Sequence, residues 1–302
     1  MISKIPLILV TGFLGSGKTS FLLNFLSAFS KSKRIAIIQN EFAQSSFDSE
    51  ILKEEDNRFL LKELNKGSIF CACLFSSFKD TLADLAMNNN PDLVLIEATG
   101  IADPIAIAQV MDDERLNSSY YLQKIITIVD ASRFLNVLEN IIGVRHQIEV
   151  ADLIFINKCD LADNEKIEQI NRSIKEINPF ASICFSNHGS FLQKNLLDSD
   201  VTSLFSNGIK GELTKCGKGH YVSRVLKTSQ PISMESLNQF FNSLDADVLR
   251  VKGYVTDENG KSFIVQYVPG QKEIIPCSHS VGRTELLSIG FKEPNFNLLQ
   301  CI

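Results

Sequence analysis

The chain has 302 residues, 44% of them hydrophobic and 22% charged, with a formal net charge of −5. That length exceeds what one core usually serves, so two domains are expected, and an acidic balance without a Lys/Arg block argues against a nucleic-acid or polyanion binder. No apolar run is long enough to span a bilayer, and the seven cysteines, odd in number and scattered, do not make a disulfide framework.

The first apolar run, "IPLILV" (5–10), is too short for a secretory leader and no small-residue cleavage site follows it. It reads as a strand buried on both faces, in a protein expected to be cytoplasmic. Directly after it, "GFLGSGKTS" (12–20) fits G-x-x-x-x-G-K-[ST] and opens the helical run "SFLLNFLSAF" (20–29). Glycines let such a loop curl its N–H groups onto phosphate oxygens, and the helix start adds partial positive charge. Gly12, Gly15, Ser16, Gly17, Lys18, Thr19 and Ser20 are the expected nucleotide contacts. Within them, Lys18 reaches the β- and γ-phosphates and the Thr19 hydroxyl binds Mg2+.

"RIAIIQN" (34–40) is a second strand, and "GSIFCACLF" (67–75) follows, with Cys71 and Cys73 one residue apart in a phenylalanine-rich run. "FKDTLADLAM" (78–87) has helical spacing and "DLVLIEA" (92–98) is again a buried strand. Glu97 ends that strand, where an unpaired carboxylate is costly unless it meets a cation or water, so it is assigned to Mg2+ and its water shell. Gly100 brings a backbone N–H to the γ-phosphate, and Asp103 before Pro104 caps the helical run "PIAIAQVM" (104–111).

"KIITIVD" (124–130) and "DLIFINK" (152–158) are further strands, and "NEKIEQINRSIKEI" (164–177) a further helix. At the end of the later strand, "NKCD" (157–160) offers Asp160, which accepts two hydrogen bonds from guanine N1–H and N2–H2; adenine lacks that donor pair. Asn157 and Lys158 brace the base and the loop. GTP and GDP are therefore the expected ligands, with Lys18, Glu97 and Gly100 nearest the reacting phosphate. No glutamine or arginine is marked by its position as the orienter of the attacking water, so slow hydrolysis is expected.

Strand–helix alternation predicts an α/β fold of the P-loop NTPase kind over residues 1–206. Its mostly parallel sheet carries helices on both faces, with chemistry at the carboxyl ends of the strands. A glycine-rich linker, 207–219, leads to a small α+β domain, 220–302. That domain holds "YVSRVLKT" (221–228), the helix candidate "SMESLNQFFNSL" (233–244), and "ADVLRVKGYVT" (246–256) joined by the hairpin signal "DENG" to "SFIVQYVPG" (262–270). "ELLSIGF" (285–291) closes it.

The P-loop together with "NEF" (40–42), "IEATGIADP" (96–104), "VDA" (129–131) and "INKCDL" (156–161) resembles the CobW-like GTPases, relatives of the urease and hydrogenase nickel-insertion GTPases. "LRVKGYV" (249–255) and "LLSIGF" (286–291) are similar to that family's C-terminal domain, so the resemblance spans nearly the whole chain. It implies a GTPase that handles a transition metal, usually zinc, cobalt or a nickel-type ion, and passes it to a client protein. It also implies a nucleotide-dependent homodimer.

At the metal run the sequence departs from that family's pattern. Where relatives carry C-x-C-C after a glycine, Ser68 and Phe70 occupy the first two cysteine places, Cys71 the third, and Cys73 lies two beyond. Ala43 and Gln44 replace the glycine and second acid of "NEFGE". In an extended segment Cys71 and Cys73 face one side and share an ion, with Glu41 as third ligand carried over from "NEF"; zinc prefers four. His220 is a further candidate by resemblance to a histidine of the second domain. The competing expectation is that both cysteines are buried packing. Cys277 and His279, a C-x-H pair, are expected at the surface. Two functions stay open: a GTP-dependent metallochaperone or metal-insertion factor, and a GTP-binding regulatory module that acts by protein contact after losing metal transfer. A kinase using ATP is disfavoured by Asp160.

Overall fold

Runs of Ile, Leu and Val with no polar face become the inner strands of a seven-stranded sheet. The computed structural model describes residues 4–40, 59–64, 72–98, 113–187, 222–245, 247–268, 271–277, 281–290 and 292–299. Within them the chain forms two compact units, taken separately below.

The first unit holds β1 (Ile5–Thr11), β2 (Ile35–Asn40), β3 (Phe59–Leu64), β4 (Leu93–Glu97), β5 (Tyr120–Asp130), β6 (Leu153–Asn157) and β7 (Ser182–Phe185). Their order is β3-β2-β4-β1-β5-β6-β7, and every neighbouring pair is parallel. The strands at the two edges, β3 and β7, are the ones the sequence pattern does not announce. β3 is broken by Lys62 and Glu63 and β7 has only four residues, because an edge strand needs no continuous apolar run. The helices are α1 (Lys18–Phe29), α2 (Ala72–Asp84), α3 (Glu114–Asn117), α4 (Phe134–Asn140), α5 (Ile142–Val150) and α6 (Asn164–Ile177).

Alternation along the inner strands divides their side chains between two cores. Ile8, Val10, Leu95, Ile126 and Phe155 meet Phe21, Leu22 and Phe25 of α1. On β6 the intervening Ile154 and Ile156 cluster instead with Val144 and Ile148 of α5 and Ile170 and Ile174 of α6. From β1 the chain crosses to β2 on one side, beyond β4, whereas β5 lies on the other side of β1. The crevice outside the carboxyl ends of β1 and its neighbours is where such sheets bind ligands.

α2 begins earlier than the spacing of "FKDTLADLAM" predicts, at Ala72, and runs into a single π turn at Leu85–Asn89. This corrects one expectation: Cys73 is the second residue of a helix, not part of an extended segment. Cys71 itself lies outside the described residues, as do the 104–111 helix candidate and the 207–219 linker.

The second unit is a five-stranded sheet of β8 (Val222–Thr228), β9 (Val248–Thr256), β10 (Ser262–Val268), β11 (Gln271–Pro276) and β12 (Thr284–Gly290), in the order β11-β10-β9-β12-β8. All its neighbours are antiparallel, and β9 and β10 form the expected hairpin around 257–260. α7 (Met234–Asn242) is capped by Ser233, whose hydroxyl accepts the Ser236 N–H at 3.0 Å. Its Leu237, Phe240 and Phe241 pack with Val251, Val255, Val265 and Leu286 of the sheet. Among the described residues no helix is long and apolar enough to cross a membrane.

Phe21 locks α1 to the sheet: it is fully buried, with ring centroids 5.1 Å from Phe155 and 6.2 Å from Phe25. Phe21→Ala is expected to cost about 3–5 kcal/mol in urea unfolding of the full chain. A loss near zero would mean that α1 is not held by its apolar face.

Candidate functional site

β1 ends at Thr11, and the chain turns through Gly12–Gly17 into α1. Two of these glycines are dictated by space and backbone. Gly17, with φ +102°, would set a Cβ 2.3 Å from Asn157 Nδ2, and Gly12, with φ +142°, would set one 2.2 Å from the Ile128 carbonyl. The Ser16 N–H donates to the Phe13 carbonyl at 3.1 Å, closing the turn, and the first helical bond runs from the Phe21 N–H to the Gly17 carbonyl at 2.9 Å. N–H groups at the start of α1 have no acceptor within the helix, which makes this end a natural anion site. Ser16 Oγ is buried beside them without a hydrogen-bond partner.

The Lys18 amine lies back over the loop, donating to the Gly12 carbonyl at 2.8 Å and the Phe13 carbonyl at 3.2 Å. Burial lowers its pKa, and the nearby Glu97 charge works against that shift. Thr19 and Ser20 are exposed on the first turn of α1. Glu97, at the carboxyl end of β4, accepts from the Thr19 hydroxyl at 3.5 Å and from Gln39 Nε2 at 2.7 Å. Burial pushes the Glu97 carboxyl above its ordinary range, against the pull of Gln39, Lys18 and Thr19. A hydroxyl and a carboxylate are hard oxygen donors, the set that suits Mg2+ and not a thiophilic metal.

A second loop closes on the first. Asn157, at the end of β6, donates its amide to the Ser16 carbonyl at 2.9 Å, and the Lys158 amine donates to the Gly15 carbonyl at 2.8 Å. Lys158 also pairs with Asp130 Oδ2 at 2.7 Å. Burial pushes the Asp130 carboxyl up, but hydrogen bonds from Lys158 and Ser132 outweigh it and hold the pKa below the usual value. Asp160 is exposed, and its N–H donates to Asn187 Oδ1 at 3.2 Å. The structure thus brings Gly12, Gly15, Ser16, Gly17, Lys18, Thr19 and Glu97 together with Asn157 and Lys158.

Gly100, Glu41, Cys71, Asp103, His220 and His279 lie outside the described residues. Cys73 sits in the first turn of α2. Cys277 is half-buried where β11 ends, with its N–H on the Ser262 carbonyl at 2.8 Å. Among the described residues no group of three or more His, Cys, Asp or Glu is placed to hold a metal ion. Sequence reasoning missed Gln39, Asp130, Ser132, Ser186 and Asn187. Ser186 donates to Asn157 Oδ1 at 3.4 Å. Asp130 stands inside the quoted "VDA"; Ser186 and Asn187 follow β7, a strand too short to signal them.

Residues 6–185 match the model of the family described as CobW/HypB/UreG, nucleotide-binding domain. The chain belongs to the CobW/HypB/UreG family. Among similar family proteins is the zinc-regulated GTPase metalloprotein activator 1 of Saccharomyces cerevisiae, 28% identical over 88% of this chain and 70% of its own length. Another is the zinc chaperone YjiA of Escherichia coli, 29% identical over 83% of this chain and 81% of its own. The fold is that of the crystal structure of Zn(II)-bound YjiA GTPase from E. coli, with a TM-score of 0.65 at 23% identity, covering 99% of this chain and 100% of that one.

Because the folded pKa of Glu97 is raised, its contribution to stability is full below the ordinary carboxylate range. That contribution is lost as pH rises through the folded value. Without Mg2+ or nucleotide, Glu97→Gln is therefore expected to melt above the wild type at about pH 7.5 and together with it near pH 4. Equal melting curves at both pH values would show that this carboxylate carries no burial cost.

Proposed function

We propose that this CobW/HypB/UreG family GTPase couples its guanine nucleotide state to the holding of a transition metal, zinc first among them, and to its delivery to a client protein. One observation carries the nucleotide half: Asn157 and Lys158 of the "NKCD" loop donate to consecutive carbonyls of the P-loop, Ser16 and Gly15, so base and phosphate elements form one cradle. The Asp160 carboxylate reads the guanine edge. Lys18, whose amine lies over the P-loop, serves the β- and γ-phosphate oxygens. Thr19 and Glu97 hold Mg2+, which neutralises charge on the phosphates. Gln39 keeps the Glu97 carboxylate aimed and is itself occupied there, which supports slow hydrolysis in the absence of a partner. Gly100 supplies an N–H to the γ-phosphate.

The metal is cargo. Cys71, Cys73 and Glu41 are the proposed ligands, with Cys73 presented from the start of α2. Three donors leave one position of a tetrahedron open, a suitable arrangement for handing zinc to a client. The segments carrying them follow β2 and precede β4, the strands whose ends hold Gln39 and Glu97, so contacts with the γ-phosphate would alter the ligand geometry. The protein is proposed to work in the cytoplasm, as a homodimer in its nucleotide-bound state. The altered run "GSIFCAC" favours one alternative, a GTP-dependent protein-interaction module that carries no metal.

Calorimetry with Mg2+ present is expected to show GTP binding preferred over ATP, and Asp160→Ala to cut that preference by about 10- to 100-fold. No uptake of guanine nucleotide by the wild type would overturn the nucleotide half. For the metal half, zinc affinity of anaerobically purified protein is expected to differ several-fold between a GTP analogue and GDP, and to fall in Cys71→Ser/Cys73→Ser. Wild-type zinc affinity in that double variant would transfer support to the interaction module.

A further inference from the structure

The geometry points to Asp130 as a positioning residue for guanine selectivity, one that holds Lys158 between the base loop and the phosphate loop; this rests on the GTP-binding function proposed above. Asp130 is the last residue of β5 and lies in register with Asn157 of β6, so the sheet itself delivers it beside the "NKCD" loop. Its side chain is 9% exposed, against 33% for Lys158. Oδ2 takes the Lys158 amine at 2.7 Å, while Oδ1 takes the Ser132 N–H at 2.9 Å and the Ser132 hydroxyl at 2.6 Å. Ser132 is tied down in turn, since its carbonyl accepts the Lys166 amine of α6 at 2.8 Å. Both carboxylate oxygens are thereby fixed, and with them the lysine.

Lys158 is the residue on which this matters. Its backbone is left-handed, φ +60° and ψ +38°, a conformation uncommon for a residue with a side chain. Immediately after it a short 3-10 turn, Cys159–Leu161, carries Asp160. The direction in which Asp160 leaves the sheet therefore depends on Lys158 keeping that conformation. The amine is anchored at two points, the Gly15 carbonyl of the P-loop at 2.8 Å and Asp130. An asparagine at 130 has one acceptor oxygen, uncharged, for both Ser132 and the ammonium, and charge-assisted pairs hold geometry better than neutral ones. The lysine would then swing outward, the left-handed turn would relax, and Asp160 would lose its register with the guanine edge while the triphosphate cradle persisted. Adenine nucleotides, which gain nothing from Asp160, would be affected far less.

The test uses the full chain and measures Kd for GTP and for ATP with Mg2+ in the wild type, Asp130→Asn, Ser132→Ala, Lys158→Met and the Asp130→Asn/Lys158→Met double variant. Asp130→Asn is expected to weaken GTP about ten-fold and ATP by no more than about two-fold. Ser132→Ala moves the GTP/ATP ratio in the same direction by less, and the double variant matches Lys158→Met alone because both changes break one link. An unchanged ratio in Asp130→Asn, equal losses for both nucleotides, or losses that add in the double variant would overturn the assignment. Should Asp130→Asn fail to fold, the ratio in Ser132→Ala decides in its place. A wild type with no preference for GTP would instead defeat the guanine assignment itself, a result distinct from any of these.

Discussion

One pair of long-range hydrogen bonds governs the site: the Asn157 amide on the Ser16 carbonyl and the Lys158 amine on the Gly15 carbonyl. A trans peptide points its C=O and N–H in opposite directions. Pinning the Ser16 carbonyl toward β6 therefore turns the Gly17 N–H away from it, where a phosphate oxygen is the natural acceptor. The same contact leaves no room for a side chain at position 17, since its Cβ would fall on Asn157. The glycine pattern of the loop and the asparagine of the distant loop are thus two halves of one steric requirement.

Charge in the site is held in tension. Lys18 and Glu97 are both pushed toward their neutral forms by burial, and each pulls the other back. Such a pair is costly to keep dry without further partners. In the function proposed above, a triphosphate would supply negative charge to the lysine and a divalent cation positive charge to the glutamate. Binding of both would then relieve this burial penalty at the ends of β2 and β4. Gln39, near the end of β2 and paired in register with Glu97, adds a side-chain bond to the backbone pairing of those two strand ends.

The cysteine run carries no local signal for its own backbone. Two cysteines one residue apart suggest a shared face only if the backbone is extended, and the backbone at Cys73 is helical. The spacing of "FKDTLADLAM" begins that helix too late because the phenylalanines and cysteines before it are apolar at every position and carry no period. Family membership and zinc-named relatives are compatible with metal transfer through this altered run, but the tetrahedron then relies on fewer sulfur ligands than the C-x-C-C pattern offers.

The parallel sheet, the P-loop turn, the "NKCD" loop at the end of β6 and the hairpin of the C-terminal unit were legible in one dimension. Each is written in consecutive residues: unbroken apolar runs, glycines at fixed offsets, a carboxylate at a strand end. The edge strands β3 and β7 were not, since half-exposed strands carry no continuous apolar signal, nor were α4 and α5, which are short and interrupted at Ile141. Still less could any local period reveal that Asp130 and Gln39 support the site, because Lys158 and Glu97 are brought to them by strand register from 28 and 58 positions away along the chain. Asn157 meets Ser16 across 141 positions. Residue types and turns are properties of neighbours in sequence, whereas the clamp between the two loops exists only because a parallel sheet lays the carboxyl ends of β1, β5 and β6 side by side.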